Sequence, residues 1–109
     1  MAEPFAYSVG IWTTKSGQSD AFLKIWKETT DYNAQNNKGG IDFTLVQDVD
    51  QPNVFVSISR WESSDVFKKW IESPEFESYL NKIKPLCDDI KVRTLKGVIS
   101  IKGNIAQTP

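Results

Sequence analysis

Apolar and polar positions alternate with a period of two from Phe5 to Thr14. Phe5, Tyr7, Val9 and Ile11 fall on one side, and Ala6, Ser8 and Gly10 on the other. The segment is rich in aromatic and β-branched residues and predicts a strand. After a turn at Lys15–Gln18 the period changes. Phe22, Ile25, Trp26 and Thr29 share one face of a helix, which Ser19 or Asp20 can cap and the run Asn36 to Gly40 stops. A second strand is expected from Ile41 to Val49, a tight turn at Asp50–Asn53, and a third strand from Val54 to Trp61. In the third strand Val54, Val56 and Ile58 point one way, and Phe55, Ser57, Ser59 and Trp61 the other. Ser63 or Ser64 caps a second helix with Val66, Phe67, Trp70 and Ile71 on its apolar face. Ser73-Pro74 restarts that helix, and Phe76, Tyr79, Leu80 and Ile83 continue the stripe. Lys91 to Lys102 reads as a fourth strand and Gly103 to Pro109 as a loose tail.

The order β-α-β-β-α-β is the ferredoxin-like α+β arrangement with an antiparallel sheet. One domain is expected over residues 1–109, with its core at about 5–102. Two helices cover one face of a four-stranded sheet, yet both faces carry apolar side chains. A second copy packing sheet to sheet would cover the other face, so a homodimer is expected.

Composition narrows the functions. The chain carries 13 Lys+Arg against 14 Asp+Glu, a net charge of −1, without a basic stripe, so no nucleic-acid partner is expected. No apolar stretch approaches the roughly 20 residues of a membrane helix, and Met1 to Pro4 do not open a secretory leader. A single cysteine, Cys87, fits a reducing compartment, and a cytoplasmic location is expected. There is no histidine. This removes the usual general base near neutral pH and the usual zinc and haem ligand, so no metal site and no cofactor are expected.

The run Trp61-Glu62-Ser63 after a strand, then Phe67, Trp70 and Ser73-Pro74-Glu75-Phe76, resembles the antibiotic biosynthesis monooxygenase family. Gly40-Ile41 at the start of the second strand and Asp50-Gln51-Pro52-Asn53 ahead of Val54-Phe55 are similar to it too. The likeness runs from about Tyr7 to Ile101. The resemblance implies a dimeric α+β barrel. It also implies one of several activities, among them cofactor-free oxygenation of anthrones or quinols and haem degradation. In the anthrone-oxidising branch an Asn on the third strand, the Trp ending it and a Tyr in the next helix serve the reaction. The chain keeps the Trp as Trp61, and has Ser57 at the Asn position and Phe67 at the Tyr position. Of the haem-degrading residues only the Trp is matched, by Trp70. The Asn falls near Val9 and the iron-binding His near Leu80, which argues against that activity.

Ser57 and Trp61 are therefore the candidate catalytic residues. Ser57 would anchor a substrate oxygen, and Trp61 would stand as a flat wall. Trp12, Tyr32, Phe67, Trp70, Phe76 and Tyr79 are candidate substrate-binding residues, each of which could instead be core or helix-end structure. Small residues at Ala6, Ser8 and Gly10 would make room on that side of the sheet for a small aromatic ligand. The expected activity is a cofactor-independent monooxygenase using O2 on a quinol- or anthrone-like substrate. The alternative is a non-catalytic dimer that binds a small ligand.

Overall fold

The structure, a computed structural model, describes residues 5–37 and 39–104. The expectations about a leader at Met1–Pro4 and the last part of the tail lie outside them. The elements are β1 (Ala6–Thr14), α1 (Ser19–Asn36), β2 (Gly40–Gln47), β3 (Val54–Trp61), α2 (Ser64–Ile71), α3 (Pro74–Ile83), a 3-10 turn (Lys84–Leu86) and β4 (Cys87–Lys96). The four strands form an antiparallel sheet in the order β2-β3-β1-β4, the ferredoxin-like topology. β1 sits centrally, bonded to β3 on one side and β4 on the other.

Local chemistry explains the helix boundaries. The Ser63 hydroxyl accepts from the backbone N–H of Val66 at 3.3 Å and starts α2. Ser73 accepts from the N–H of Phe76 at 3.2 Å and donates to the carbonyl of Trp70 at 2.6 Å. One side chain thus closes α2 and opens α3, with Pro74 in the first turn, where its missing N–H costs nothing. The start of α1 differs from expectation. Gln18 occupies the N-cap without a side-chain bond, and the Ser19 hydroxyl bonds Thr14 Oγ1 at 2.8 Å instead. That bond ties the helix to the end of β1.

β4 also corrects its expected bounds of 91–102. It begins at Cys87, opposite Thr14, and ends at Lys96, opposite Ala6, where β1 itself begins. Beyond Lys96, Val98, Ile99 and Ile101 are apolar enough for a strand, but none of them pairs with a strand among the described residues, and all three are exposed. Asp88, Asp89 and Lys91 hide the true start in the sequence; charges of this kind are common on edge strands.

The helices pack on one face of the sheet and enclose two clusters of buried side chains. One joins Trp12, Phe22, Phe55, Tyr79, Ile83 and Cys87; the other joins Ala6, Trp61, Phe67 and Trp70. The opposite face carries Ile11, Val46, Ile58 and Leu95, each 38–47% exposed.

Candidate functional site

The site lies where the two clusters meet. On the helix side of the sheet, β1 and β3 make four consecutive rungs: Ala6–Trp61, Ser8–Ser59, Gly10–Ser57 and Trp12–Phe55. The outer rungs each carry a large ring, and the two middle rungs carry only small side chains. The helices rest on the large residues and cannot descend between them. A cavity of about 70 Å³ is left over Ser8, Gly10, Ser57 and Ser59. Its walls are aromatic: Trp12 and Trp61 from the sheet, Phe43 from β2, Trp26 from α1, Phe67 and Trp70 from α2, and Phe76 and Tyr79 from α3.

The rings brace one another edge to face. Phe43 meets Trp61 at 5.7 Å between centroids, Trp12 meets Tyr79 at 6.0 Å, and Trp70 meets Phe76 at 5.5 Å, with interplanar angles of 87°, 76° and 74°.

The serines of the floor hold the two sheet tryptophans. Trp12 Nε1–H donates to Ser57 Oγ at 2.9 Å, and Trp61 Nε1–H donates to Ser59 Oγ at 2.9 Å. An indole nitrogen can only donate, so both serines act as acceptors here and keep their own protons to give elsewhere. No acceptor for either proton is found among the described residues. The two hydroxyls are adjacent on the same face of β3, roughly 6.6 Å apart along the strand. Gly10 makes the arrangement possible. A Cβ there would stand 2.7 Å from both Ser57 Oγ and Trp12 Nε1.

Electrostatically the cavity is neutral. No acidic or basic side chain lines it. Burial, and secondarily the Cys87 thiol, push the Tyr79 phenol well above its ordinary pKa of 10.0, so it stays a neutral donor. Cys87 is itself raised, first by burial and then by Asp88, against a smaller lowering by Lys15, which makes it a poor nucleophile. Among the described residues no group of three or more His, Cys, Asp or Glu side chains is placed to hold a metal ion.

Seven of the eight residues singled out in the sequence meet around this cavity: Ser57, Trp61, Trp12, Phe67, Trp70, Phe76 and Tyr79. Tyr32 does not. It is 45% exposed and lines a separate groove of about 360 Å³ between α1 and α3. Sequence reasoning did not assign Trp26, Thr30 or Phe43 to the site, nor Ser59 as the partner of Trp61. The period of two placed Ser59 beside Ser57, but the pairing of each indole with a hydroxyl depends on rotamers and register.

No helix is long and apolar enough to cross a membrane among the described residues. No curated protein matches the chain. Solved structures of other proteins share its fold, among them the following. SnoaB, a cofactor-independent oxygenase from Streptomyces nogalater, is 18% identical with a TM-score of 0.80, over 92% of this chain and 99% of that one. A conserved protein from Methanosarcina mazei Go1 is 15% identical with a TM-score of 0.78, over 86% and 93%. A protein from Shewanella oneidensis is 16% identical with a TM-score of 0.80, over 90% and 95%. The family model described as antibiotic biosynthesis monooxygenase matches residues 7–82. With that span lying across every wall of the cavity except Val92, the chain belongs to the antibiotic biosynthesis monooxygenase family.

Proposed function

We propose that this chain is a cofactor-independent monooxygenase that uses O2 on a small quinol- or anthrone-like substrate. The observation that carries the reading is the cavity floor: two serine hydroxyls, each held by an indole N–H, under a cage of aromatic rings. Membership of the family and the fold shared with SnoaB support it.

The chemistry asks little of the protein. A deprotonated anthrone or quinol can pass an electron to O2. The resulting pair combines to a substrate peroxide, which loses water, so one oxygen atom enters the product and the other leaves as water. Donors aimed at the substrate oxyanion lower the cost of deprotonation, and a dry aromatic enclosure strengthens them. Ser57 is proposed to give its proton to the substrate oxygen, with Tyr79 as a second neutral donor. Trp61 supplies a wall; its own N–H is already spent on Ser59, so it acts on the substrate through its ring. Trp12, Phe67, Trp70 and Phe76 complete the enclosure.

An oxygen electrode tests the reading. Reduced quinols and anthrones should drive O2 uptake with chelators present, and Ser57→Ala and Trp61→Phe should lose most of it. Uptake at the buffer rate across such a panel would sink the oxygenase reading. A specific observation favours a second reading, a non-catalytic binder of small aromatic ligands: among the described residues no carboxylate, amine or imidazole lines the cavity to serve as base. Ligand binding without O2 uptake would select it.

A homodimer goes with either reading. Ile11, Val46, Ile58 and Leu95 form an exposed apolar patch on the uncovered face of the sheet. At the edge of that face Arg60 bonds Asp42 at 2.7 Å and stacks on Phe5 at 4.9 Å, yet its buried Nε has no partner among the described residues. A cytoplasmic location fits the lone thiol of Cys87.

A further inference from the structure

The cavity alone is too small for the ligand proposed for it. About 70 Å³ holds several waters, whereas sites for small organic molecules span roughly 300–1,000 Å³. The groove between α1 and α3, at about 360 Å³, has the volume but lies open on the surface. Trp70 and Tyr79 line both spaces. They are the wall between the cavity beneath the helices and the groove outside them.

The polar atoms of this wall set it apart from the rest of the aromatic cage. The sheet tryptophans are pinned, Trp12 by Ser57 and Trp61 by Ser59. Trp70 and Tyr79 are each only 7% exposed. Among the described residues Arg60 Nε is the one fully buried side-chain polar atom without a partner, so the Trp70 indole N–H and the Tyr79 hydroxyl, which bond no protein group, keep contact with solvent. Groups of this kind, apolar in body and polar at one tip, are suited to a wall with a wet side. Trp70 also sits in the last turn of the eight-residue α2, just before the break at Ser73, where the backbone changes direction. It is held by packing on Phe76 rather than by a hydrogen bond from its ring.

We infer that the cavity and the α1–α3 groove are two halves of one ligand site, divided by Trp70 and Tyr79. Its ligand is a flat, oxygen-bearing ring with a polar arm: the ring lies beneath the helices and the arm runs out between α1 and α3. The ring enters by displacing the Trp70 side chain toward the groove. Its oxygen meets the serine floor, and the spare donors of Trp70 and Tyr79 bond the ligand where ring and arm join. The arm lies among Thr29, Tyr32, Ser78 and Lys82, which offer hydroxyls and one ammonium, with Glu28 and Glu75 at the rim. This inference rests on the reading of the cavity as a ligand site.

Calorimetric titration with two probes tests it. One probe is naphthol, a bare ring with one oxygen; the other is naphthol carrying a short amide arm opposite its hydroxyl. The arm should tighten binding to the unmodified protein by about tenfold. Ser78→Trp fills the groove from an exposed position. It should erase the gain from the arm and leave affinity for bare naphthol intact, with circular dichroism confirming the fold. Trp70→Ala should bind both probes faster, because the wall is gone, and release them faster still, because a flat face and a donor are lost with it; association no faster than in the unmodified protein would overturn the role of Trp70 as the wall. Naphthol binding without any gain from the arm, and without any effect of Ser78→Trp, would overturn the two-part site and leave the cavity reading standing. If neither the unmodified protein nor Trp70→Ala binds naphthol, the cavity reading fails and this inference falls with it.

Discussion

Replacing Gly10 by alanine perturbs the floor of the cavity by a single methyl group. The added Cβ would lie 2.7 Å from Ser57 Oγ, 2.7 Å from Trp12 Nε1 and 2.9 Å from Trp12 Cε2. No real Cβ keeps such contacts, and the neighbours cannot move independently, because they are bonded to each other at 2.9 Å. The Trp12 ring, 4% exposed, is wedged against Phe22 at 5.7 Å and Tyr79 at 6.0 Å. Overpacking of this kind costs about 1–3 kcal/mol. Separating Trp12 from Ser57 leaves a buried donor unpaired for about 1–3 kcal/mol more. Alanine recovers about 0.5–1 kcal/mol through its lower backbone entropy in a strand. The net expectation is a loss of about 2–4 kcal/mol, which lowers the melting temperature by upwards of about 8 °C for a domain of this size. Circular dichroism melts at matched protein concentration measure it. A thermodynamic cycle with Trp12→Phe sharpens the test, since phenylalanine removes both indole atoms in the clash. The penalty of Gly10→Ala should then shrink by about 1–2 kcal/mol. A Gly10→Ala variant as stable as the parent, or a penalty unchanged in the Trp12→Phe background, would refute the account of the floor.

Three further outcomes follow from the same geometry. Ser59→Ala strands the Trp61 N–H in the core and should cost about 1–3 kcal/mol in denaturant titrations, while Ser59→Ala combined with Trp61→Phe should cost less than the two separately. The Tyr79 phenol is raised above 10.0 in the folded chain. Below that value both states keep the proton; above it the unfolded chain loses its proton first, so stability should fall as pH rises past 10.0, with Cys87 adding a similar loss from its ordinary 9.0 upward. Tyr79→Phe should flatten the alkaline limb of stability against pH, and an unchanged limb would discount the burial of the hydroxyl. Ile58→Asp places a charge in the exposed apolar patch and should convert the proposed dimer to monomer by sedimentation while leaving the far-ultraviolet spectrum intact; a parent protein that already sediments as a monomer would remove the dimer proposal altogether.

How much of this was legible in the sequence divides along physical lines. Alternation settled which residues of β1 and β3 share a face, because the period of two is a property of the single strand. The break at Ser73-Pro74 was legible for the same reason: cap and proline act within a few residues of themselves. The bounds of β4 were not, since Val98, Ile99 and Ile101 have strand composition but no rung opposite them among the described residues, and only the pairing with β1 sets where a ladder ends. The position of Tyr32 was not legible either. Its place near the end of α1 suited a ligand contact, but the helix sets it in the α1–α3 groove and not in the cavity beneath the helices. The gathering of the aromatic side chains could be guessed from composition. The division of the four tryptophans into pinned and unpinned could not, because it depends on which hydroxyl lies beneath which ring.

That division bears on how a small domain can hold a cavity at all. A hollow in a close-packed interior forfeits contacts, and its lining tends to collapse unless something rigid resists. Here the resistance comes from the sheet. Trp12 and Trp61 stand at the two ends of the floor as props, each fixed by an aromatic neighbour and by a hydrogen bond to a serine on β3, itself one strand of the ladder. The helices supply the movable side. Trp70 and Tyr79 lie on short α2 and α3, whose shared boundary is a single serine, and their polar atoms are bound to nothing among the described residues. A floor that cannot shift and a roof that can is the arrangement a site needs if it must admit a ring and then exclude water. It also predicts where substitutions will act. Changes at Gly10, Ser57 and Ser59 should appear first in stability, whereas Trp70→Phe, which keeps a ring in the buried cluster and drops the N–H, and Ser78→Trp should appear in the rate and selectivity of binding with the melting temperature little altered. A Trp70→Phe variant that loses as much stability as Gly10→Ala would show that the roof is a prop as well, and would argue against a wall that moves.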